Sequence, residues 1–197
     1  MISGMTLESE FELAGQAVPL TVRKADMRDI APLLDLINGY AVRGIMLPRT
    51  EFELSENMRD FSVVYAGDQL AGCGALHFYS PLVAEIRSLA VAEHAKVRGI
   101  GRLLVEHLVE EARSFDLAAV FAFTYVPEFF QKVHFERVER GELPLKAWKD
   151  CLRCPKFQAC DEIAVVRVLD PSRWALQSAE PVSEPFILLP TLKSAAL

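Results

Sequence analysis

Two periods of hydrophobic positions alternate along most of this chain. Leu20-Thr-Val-Arg-Lys24 reads as a short strand, and Ile30, Leu33, Leu34 and Ile37 then recur at helical spacing. Asp26 and Asp29 ahead of that run resemble a capping box, and Gly44 is a natural stop. Glu51 to Arg59 predicts a second, short helix with acidic residues at its positive end. Strand patterns follow over residues 61–66, 70–79 and 84–92, separated by turns at Gly67-Asp68-Gln69 and Ser80-Pro81. The small residues Ala71, Gly72, Gly74 and Ala75 permit close backbone approach there. Residues 99–114 form the strongest amphipathic pattern, with Ile100, Leu103, Leu104, Leu108 and Ala112 on one stripe. A buried strand over 118–124, a short helix opened by Pro127, and strands over 135–139 and 162–169 complete the pattern.

The predicted order is β-α-α-β-β-β-α-β-α-β-β. An antiparallel meander runs into a strand–helix–strand crossover, and a crossover needs a parallel pair. The fold class is therefore α/β, a mixed and mostly antiparallel central sheet with helices on both faces. Residues 1–18 read as a flexible leader, 19–169 as one domain, and 170–197, with four prolines, as a tail whose Phe186-Ile-Leu-Leu189 is able to dock.

Composition narrows the partners. The 197 residues are 51% hydrophobic and 24% charged, which is globular, and the net charge of −6 argues against nucleic acid and anionic membranes. No apolar run approaches a membrane span, and the N-terminal residues match no targeting peptide, so the expected location is the cytoplasm.

The main chemical signal lies between strand 84–92 and helix 99–114. The loop carries Lys96-Val97-Arg98-Gly99-Ile100-Gly101-Arg102. Helix-start amides lack intrahelical partners and lie at the positive dipole end, and glycines let an anion approach the backbone. Lys96, Arg98 and Arg102 add charge, so this corner reads as a diphosphate site. The pattern has neither the Gly-Lys-Ser/Thr of a P-loop nor the third glycine of a dinucleotide fingerprint.

Lys96-Val-Arg-Gly-Ile-Gly101 resembles the Arg/Gln-x-x-Gly-x-Gly/Ala signature of the GNAT acetyltransferases, with Lys at the first position. Glu85-Ile-Arg-Ser-Leu-Ala-Val91 looks like that family's fourth strand, and Phe129-Phe-Gln-Lys-Val-His-Phe135 resembles its Phe-Tyr-x-Lys-x-Gly-Phe segment. The resemblance covers about residues 20–169. It implies acetyl-CoA as co-substrate and a sheet splayed between strands 85–91 and 118–124. Amides from Val97 through Arg102 would cradle the diphosphate, and the backbone of Leu89, Ala90 and Val91 would bind the pantetheine arm.

Acetyl transfer to an amine needs a base for the ammonium and benefits from a donor for the departing thiolate. Glu85 stands where the family often places its base, with His77 as an alternative and an ordinary ion pair to Arg87 or Lys132 as the plainer reading. The family's frequent acid is a Tyr at the position of Phe130, which cannot donate, so Tyr125 is the nearest substitute. A backbone N–H in a distorted strand 85–91 is a further way to polarise the thioester carbonyl.

Gly44-Ile-Met-Leu-Pro-Arg-Thr-Glu-Phe-Glu-Leu54, Phe123-Thr-Tyr-Val-Pro-Glu-Phe-Phe130 and residues 143–163 resemble the short amino-acid N-acetyltransferases of bacterial arginine synthesis, which make N-acetyl-L-glutamate. Longer members carry a kinase-like domain that senses arginine; none is visible in these residues, so arginine feedback is not carried over. A dicarboxylate acceptor needs fixed positive charge: Arg49 first, with Lys146 and Lys149 for the second carboxylate. Another small amine as acceptor, or a CoA-binding sensor without catalysis, stay open, as does a homodimer. Cys151-x-x-Cys154 with Cys160 is compatible with a zinc knuckle lacking its fourth ligand, for which Asp161, His134 or Cys73 are candidates. Reduced cysteines packing a loop are the expectation, with no metal.

Overall fold

The computed structural model describes residues 5–13, 16–96, 99–140, 143, 154, 156, 159–160 and 161–179. Its elements run β1 (Met5–Leu13), β2 (Gln16–Lys24), α1 (Ile30–Ala41), α2 (Glu51–Glu56), β3 (Phe61–Ala66), β4 (Gln69–Phe78) and β5 (Val83–Val91). Then come α3 (Ile100–Ser114), β6 (Ala119–Thr124), α4 (Pro127–Gln131), β7 (Glu136–Arg137), β8 (Ile163–Val168) and a last helix, α5 (Pro171–Ala179). The strands form one sheet in the order β1-β2-β3-β4-β5-β6-β8-β7. Every pair is antiparallel except β5 and β6.

Two sequence expectations are corrected. The leader is largely strand: β1 pairs with β2, which begins at Gln16 rather than Leu20. A register shift between Leu7 and Glu10 interrupts the alternation of β1 and hides its period in the sequence. The start of the tail is a helix. Asp170 caps α5, its Oδ1 accepting from the Ser172 and Arg173 amides, and Pro171 occupies the first turn. Trp174 packs beside Val83, Phe121 and Ala164. The Phe186–Leu189 segment lies outside the described residues.

The helices cover both faces of the sheet. Leu33 and Ile37 of α1 pack on Val63, Cys73, Ala75 and Ala90. On the other face Val105, Leu108 and Val109 of α3 pack on Leu76, Ala84 and Ile86. β4 alternates between the two, so Gly72 and Gly74 face α3. A Cβ on Gly72 would lie 2.9 Å from the Ala90 carbonyl and 3.0 Å from Leu104, and one on Gly74 3.0 Å from Leu108. These glycines let α3 sit directly on the strand.

The capping box at the start of α1 is present, and it sits in a buried charge cluster. Asp29, 1% exposed, accepts from the Asp26 amide, from two Arg23 nitrogens and from the Tyr65 hydroxyl. Burial and the Asp29 hydrogen bond together push the Tyr65 phenol up to about 12. The cluster ties α1 to β2 and β3.

Candidate active site

The parallel pair β5/β6 is joined only over three residues, Val83–Glu85 against Ala119–Phe121. Beyond Glu85 the two strands part. Over the same stretch β5 carries a bulge against β4: Cys73 faces Ala90, yet Ala75 faces Arg87. Ser88 sits at the bulge with φ +52, and the Cys73 thiol donates to its carbonyl. Burial pushes that thiol up to about 12, so Cys73 stays protonated and is a poor zinc ligand.

The parting of the strands exposes a row of backbone groups. The Ala92 amide bonds to Ala71 of β4. By strand alternation Val91, and Leu89 before the paired Ala90, turn their N–H and C=O toward the gap instead. The Tyr40 hydroxyl of α1 donates to the Val91 carbonyl at 2.7 Å. An extended chain with amide groups fits such an edge as a further strand.

Gly99 opens α3 in the left-handed region, at φ +84, and a Cβ there would meet nothing within 4 Å. The backbone therefore demands glycine while the space beside it is open. The first helical bond is made by the Leu103 amide to the Gly99 carbonyl, so the amides of Ile100, Gly101 and Arg102 point out of the helix start. The Ile100 side chain is core, beside Leu104 and Ala95. Gly101 also has a packing role: a Cβ there would lie 3.2 Å from the Phe129 ring and 3.6 Å from Val91. It is a packing glycine between α3 and α4. Lys96 pairs with Glu93 at 2.8 Å and lies over the Tyr40 ring, where Arg43 stacks as well. Arg102 is exposed, and Val97 and Arg98 lie outside the described residues.

Glu85 points to the α1/α2 face of the sheet, is 2% exposed, and accepts from the Tyr79 hydroxyl at 2.9 Å. It lies opposite His77. His77 Nδ1 is 2.6 Å from Asp60 Oδ2 and 3.0 Å from an Arg87 nitrogen. Phe130 is core, stacked edge-on against Phe129 and Phe135. Tyr125 stands just past β6. Extending the register of Glu85 opposite Phe121 places it across the gap from Leu89. Its hydroxyl accepts from Lys156 at 3.2 Å, and burial outweighs that contact to raise the phenol, so it is protonated at neutral pH.

Arg49 is held by its backbone. Asn38 of α1 accepts from the Arg49 amide at 2.9 Å and donates to its carbonyl at 3.0 Å. Thr50 then caps α2 in a full capping box with Glu53. Arg49 lines a depression with Glu53, Leu54, Asn57, Phe61 and Arg87. Sequence reasoning missed Arg87, Asn57 and Asp60 as parts of this site; alternation from Glu85 was the available signal for Arg87. Lys146, Lys149 and Cys151 lie outside the described residues. Among the described residues Cys154 and Cys160 are free thiols, and no group of metal-ligating side chains gathers. No helix among them is long and apolar enough to cross a membrane.

Similarity to known proteins defines the class. Residues 33–135 match the acetyltransferase (GNAT) family, and the chain belongs to it. Over 153 residues it is 41% identical to an uncharacterized N-acetyltransferase of Chlorobaculum tepidum, covering 78% of this chain and 99% of that one. It is 34% identical over 135 residues to the amino-acid acetyltransferase of Mycobacterium tuberculosis, covering 67% and 77% of the two chains. The N-acetylglutamate synthase of Neisseria gonorrhoeae, solved with coenzyme A and N-acetyl-glutamate, superposes with a TM-score of 0.70 at 28% identity. That match spans 76% of this chain and 35% of the gonococcal one. The protein is thus an acetyl-CoA-dependent N-acetyltransferase.

Proposed function

We propose that the chain transfers the acetyl group of acetyl-CoA to the α-amine of L-glutamate, in the cytoplasm, giving N-acetylglutamate for arginine biosynthesis. The observation that carries this reading is the placement of Arg49. Its backbone is clamped to α1, and it lines a depression on the sheet face that also holds Glu85. Similarity to amino-acid acetyltransferases at about a third identity supports the same acceptor class.

The Ile100, Gly101 and Arg102 amides, with Arg98, Lys96 and the Val97 and Gly99 backbone, hold the diphosphate. The pantetheine arm extends β5 along Leu89, Ala90 and Val91, which brings the thioester to the bulge at Ser88–Leu89. There an outward amide polarises the thioester carbonyl. Glu85 is too buried to meet the ammonium directly, so it takes the proton through a water chain. The free amine attacks the carbonyl carbon in a ternary complex. The C–S bond breaks, Tyr125, kept protonated across the gap, gives its proton to the thiolate, and the proton shed by the new amide nitrogen restores the Tyr125 hydroxyl.

A thiol-release assay over the amino acids tests this. Glutamate should be used far better than 4-aminobutyrate, which lacks the α-carboxylate. Glu85→Gln should turn over about 100-fold more slowly with acetyl-CoA binding nearly unchanged, and recover in part at high pH. Preference for an acceptor without a carboxylate would end the glutamate reading. Coenzyme A binding with no thiol release from any amine would leave a sensor instead.

A further inference from the structure

The depression that holds Arg49 contains a second arginine. Arg87 follows Glu85 by two residues on β5, so both project from one face of the sheet, about 6.6 Å apart along the strand. A glutamate molecule spans about 5 Å from its amine to its side-chain carboxyl carbon, at ~1.5 Å per bond. An acceptor whose amine reaches Glu85 through water lies over this face of β5, where the long Arg87 side chain and Arg49, which lines the same depression, can meet its carboxylates.

Arg87 is held where this requires. Its Nη2 lies 3.0 Å from His77 Nδ1, 3.5 Å from Asn57 Oδ1 and 3.7 Å from Asp60 Oδ2. The same His77 Nδ1 is only 2.6 Å from Asp60 Oδ2. One ring nitrogen cannot donate to Asp60 and accept from Arg87 together. The shorter contact, to the Asp60 carboxylate, takes the proton on Nδ1, so Arg87 is steadied by Asn57 and Asp60 and not by a bond to the ring. His77 then anchors Asp60, and the Asp60 charge steadies the guanidinium beside the ring. The Asp60 carbonyl is fixed in turn by Lys24 Nζ at 3.2 Å. The arrangement holds one positive fork at the wall of an acceptor site in an acidic protein.

We propose that Arg87 is a specificity-determining residue that binds a carboxylate of the acceptor amino acid together with Arg49, and that His77 and Asp60 are positioning residues that hold it there. This rests on the amino-acid reading above. Lys146 and Lys149 are then unnecessary for the second carboxylate.

The test is steady-state kinetics with glutamate, glutamine and acetyl-CoA. Arg87→Gln should raise the KM for glutamate by about 30-fold and narrow the glutamate-over-glutamine preference by about tenfold, with the KM for acetyl-CoA unchanged. Arg87→Lys should fall between, and it carries the test if Arg87→Gln does not fold. His77→Leu should raise the glutamate KM by about tenfold, whereas His77→Asn, whose amide can replace the Nδ1 donor, should stay within about threefold of wild type. Wild-type glutamate KM and an unchanged preference in Arg87→Gln, or in a folded Arg87→Lys, would overturn the proposal while leaving glutamate as the acceptor. A wild-type enzyme that uses no carboxylate-bearing amino acid would overturn both.

Discussion

The hydroxyl of Tyr40 in α1 reaches the backbone carbonyl of Val91, 2.7 Å away, at the end of the strand that parts from its parallel neighbour. A tyrosine from the opposite layer thereby fixes the direction of a peptide group that would receive the pantetheine arm. Removing only that oxygen, in Tyr40→Phe, should cost about 1 kcal/mol of stability. Affinity for coenzyme A should fall about three- to tenfold by titration calorimetry. A variant that binds coenzyme A as wild type does would show that the Val91 peptide is held without Tyr40.

Asp29 makes acid sensitivity predictable. Burial alone would raise its carboxyl, but the bonds from Arg23, the Asp26 amide and Tyr65 outweigh burial and hold it below the ordinary range. In the unfolded chain it returns to about 3.9. Its contribution is therefore complete above about pH 4 and is lost as pH falls through the lower, folded value. Asp29→Asn should be less stable by about 2 kcal/mol at pH 7, and the gap should shrink at pH 3. Urea melts at the two pH values decide it: an equal gap at both would mean the carboxylate charge contributes nothing.

His134 closes α4 in a left-handed conformation, φ +66, where the resembling GNAT segment carries glycine. Its amide donates to Gln131 and the following Phe135 amide to Phe130, the pattern of a helix stop that favours glycine. The side chain is exposed. His134→Gly should thus stabilise the protein by about 1 kcal/mol, raising Tm by about 2–4 °C. Thermal melts showing a loss instead would mean the imidazole makes a contact that outweighs the backbone strain.

Much of this architecture is legible in the residues. The strands from Phe61 to Val91 and the helix from Ile100 declare themselves because each buries a regular face, and Gly99 marks the helix start because no other residue takes its backbone without strain. β1 is hidden by an interruption between Leu7 and Glu10. The start of α5 is announced by Asp170-Pro171-Ser172, but the surrounding prolines obscure it. The site is legible only in its local parts. Glu85 and Arg49 are proposed from position and chemistry. Alternation from Glu85 puts Arg87 on the same face, but its neighbours there come from the turn at Asn57–Asp60, about thirty residues away, which no local pattern encodes. The packing role of Gly101 is hidden in the same way: the Phe129 ring that needs it comes from a later helix.

Arg49 is where the account is most exposed. Asn38 fixes its backbone from both sides, so truncating its side chain should leave the loop in place. The direct measurement is the specificity constant for glutamate in wild type, Arg49→Ala and Arg49→Lys, with acetyl-CoA affinity measured alongside. Arg49→Ala should lose about 2–4 kcal/mol of transition-state stabilisation with acetyl-CoA affinity unchanged. Arg49→Lys should recover only part, because an ammonium lacks the bidentate fork. An Arg49→Ala enzyme that uses glutamate as well as wild type does would contradict the assignment of this depression as the acceptor's carboxylate site.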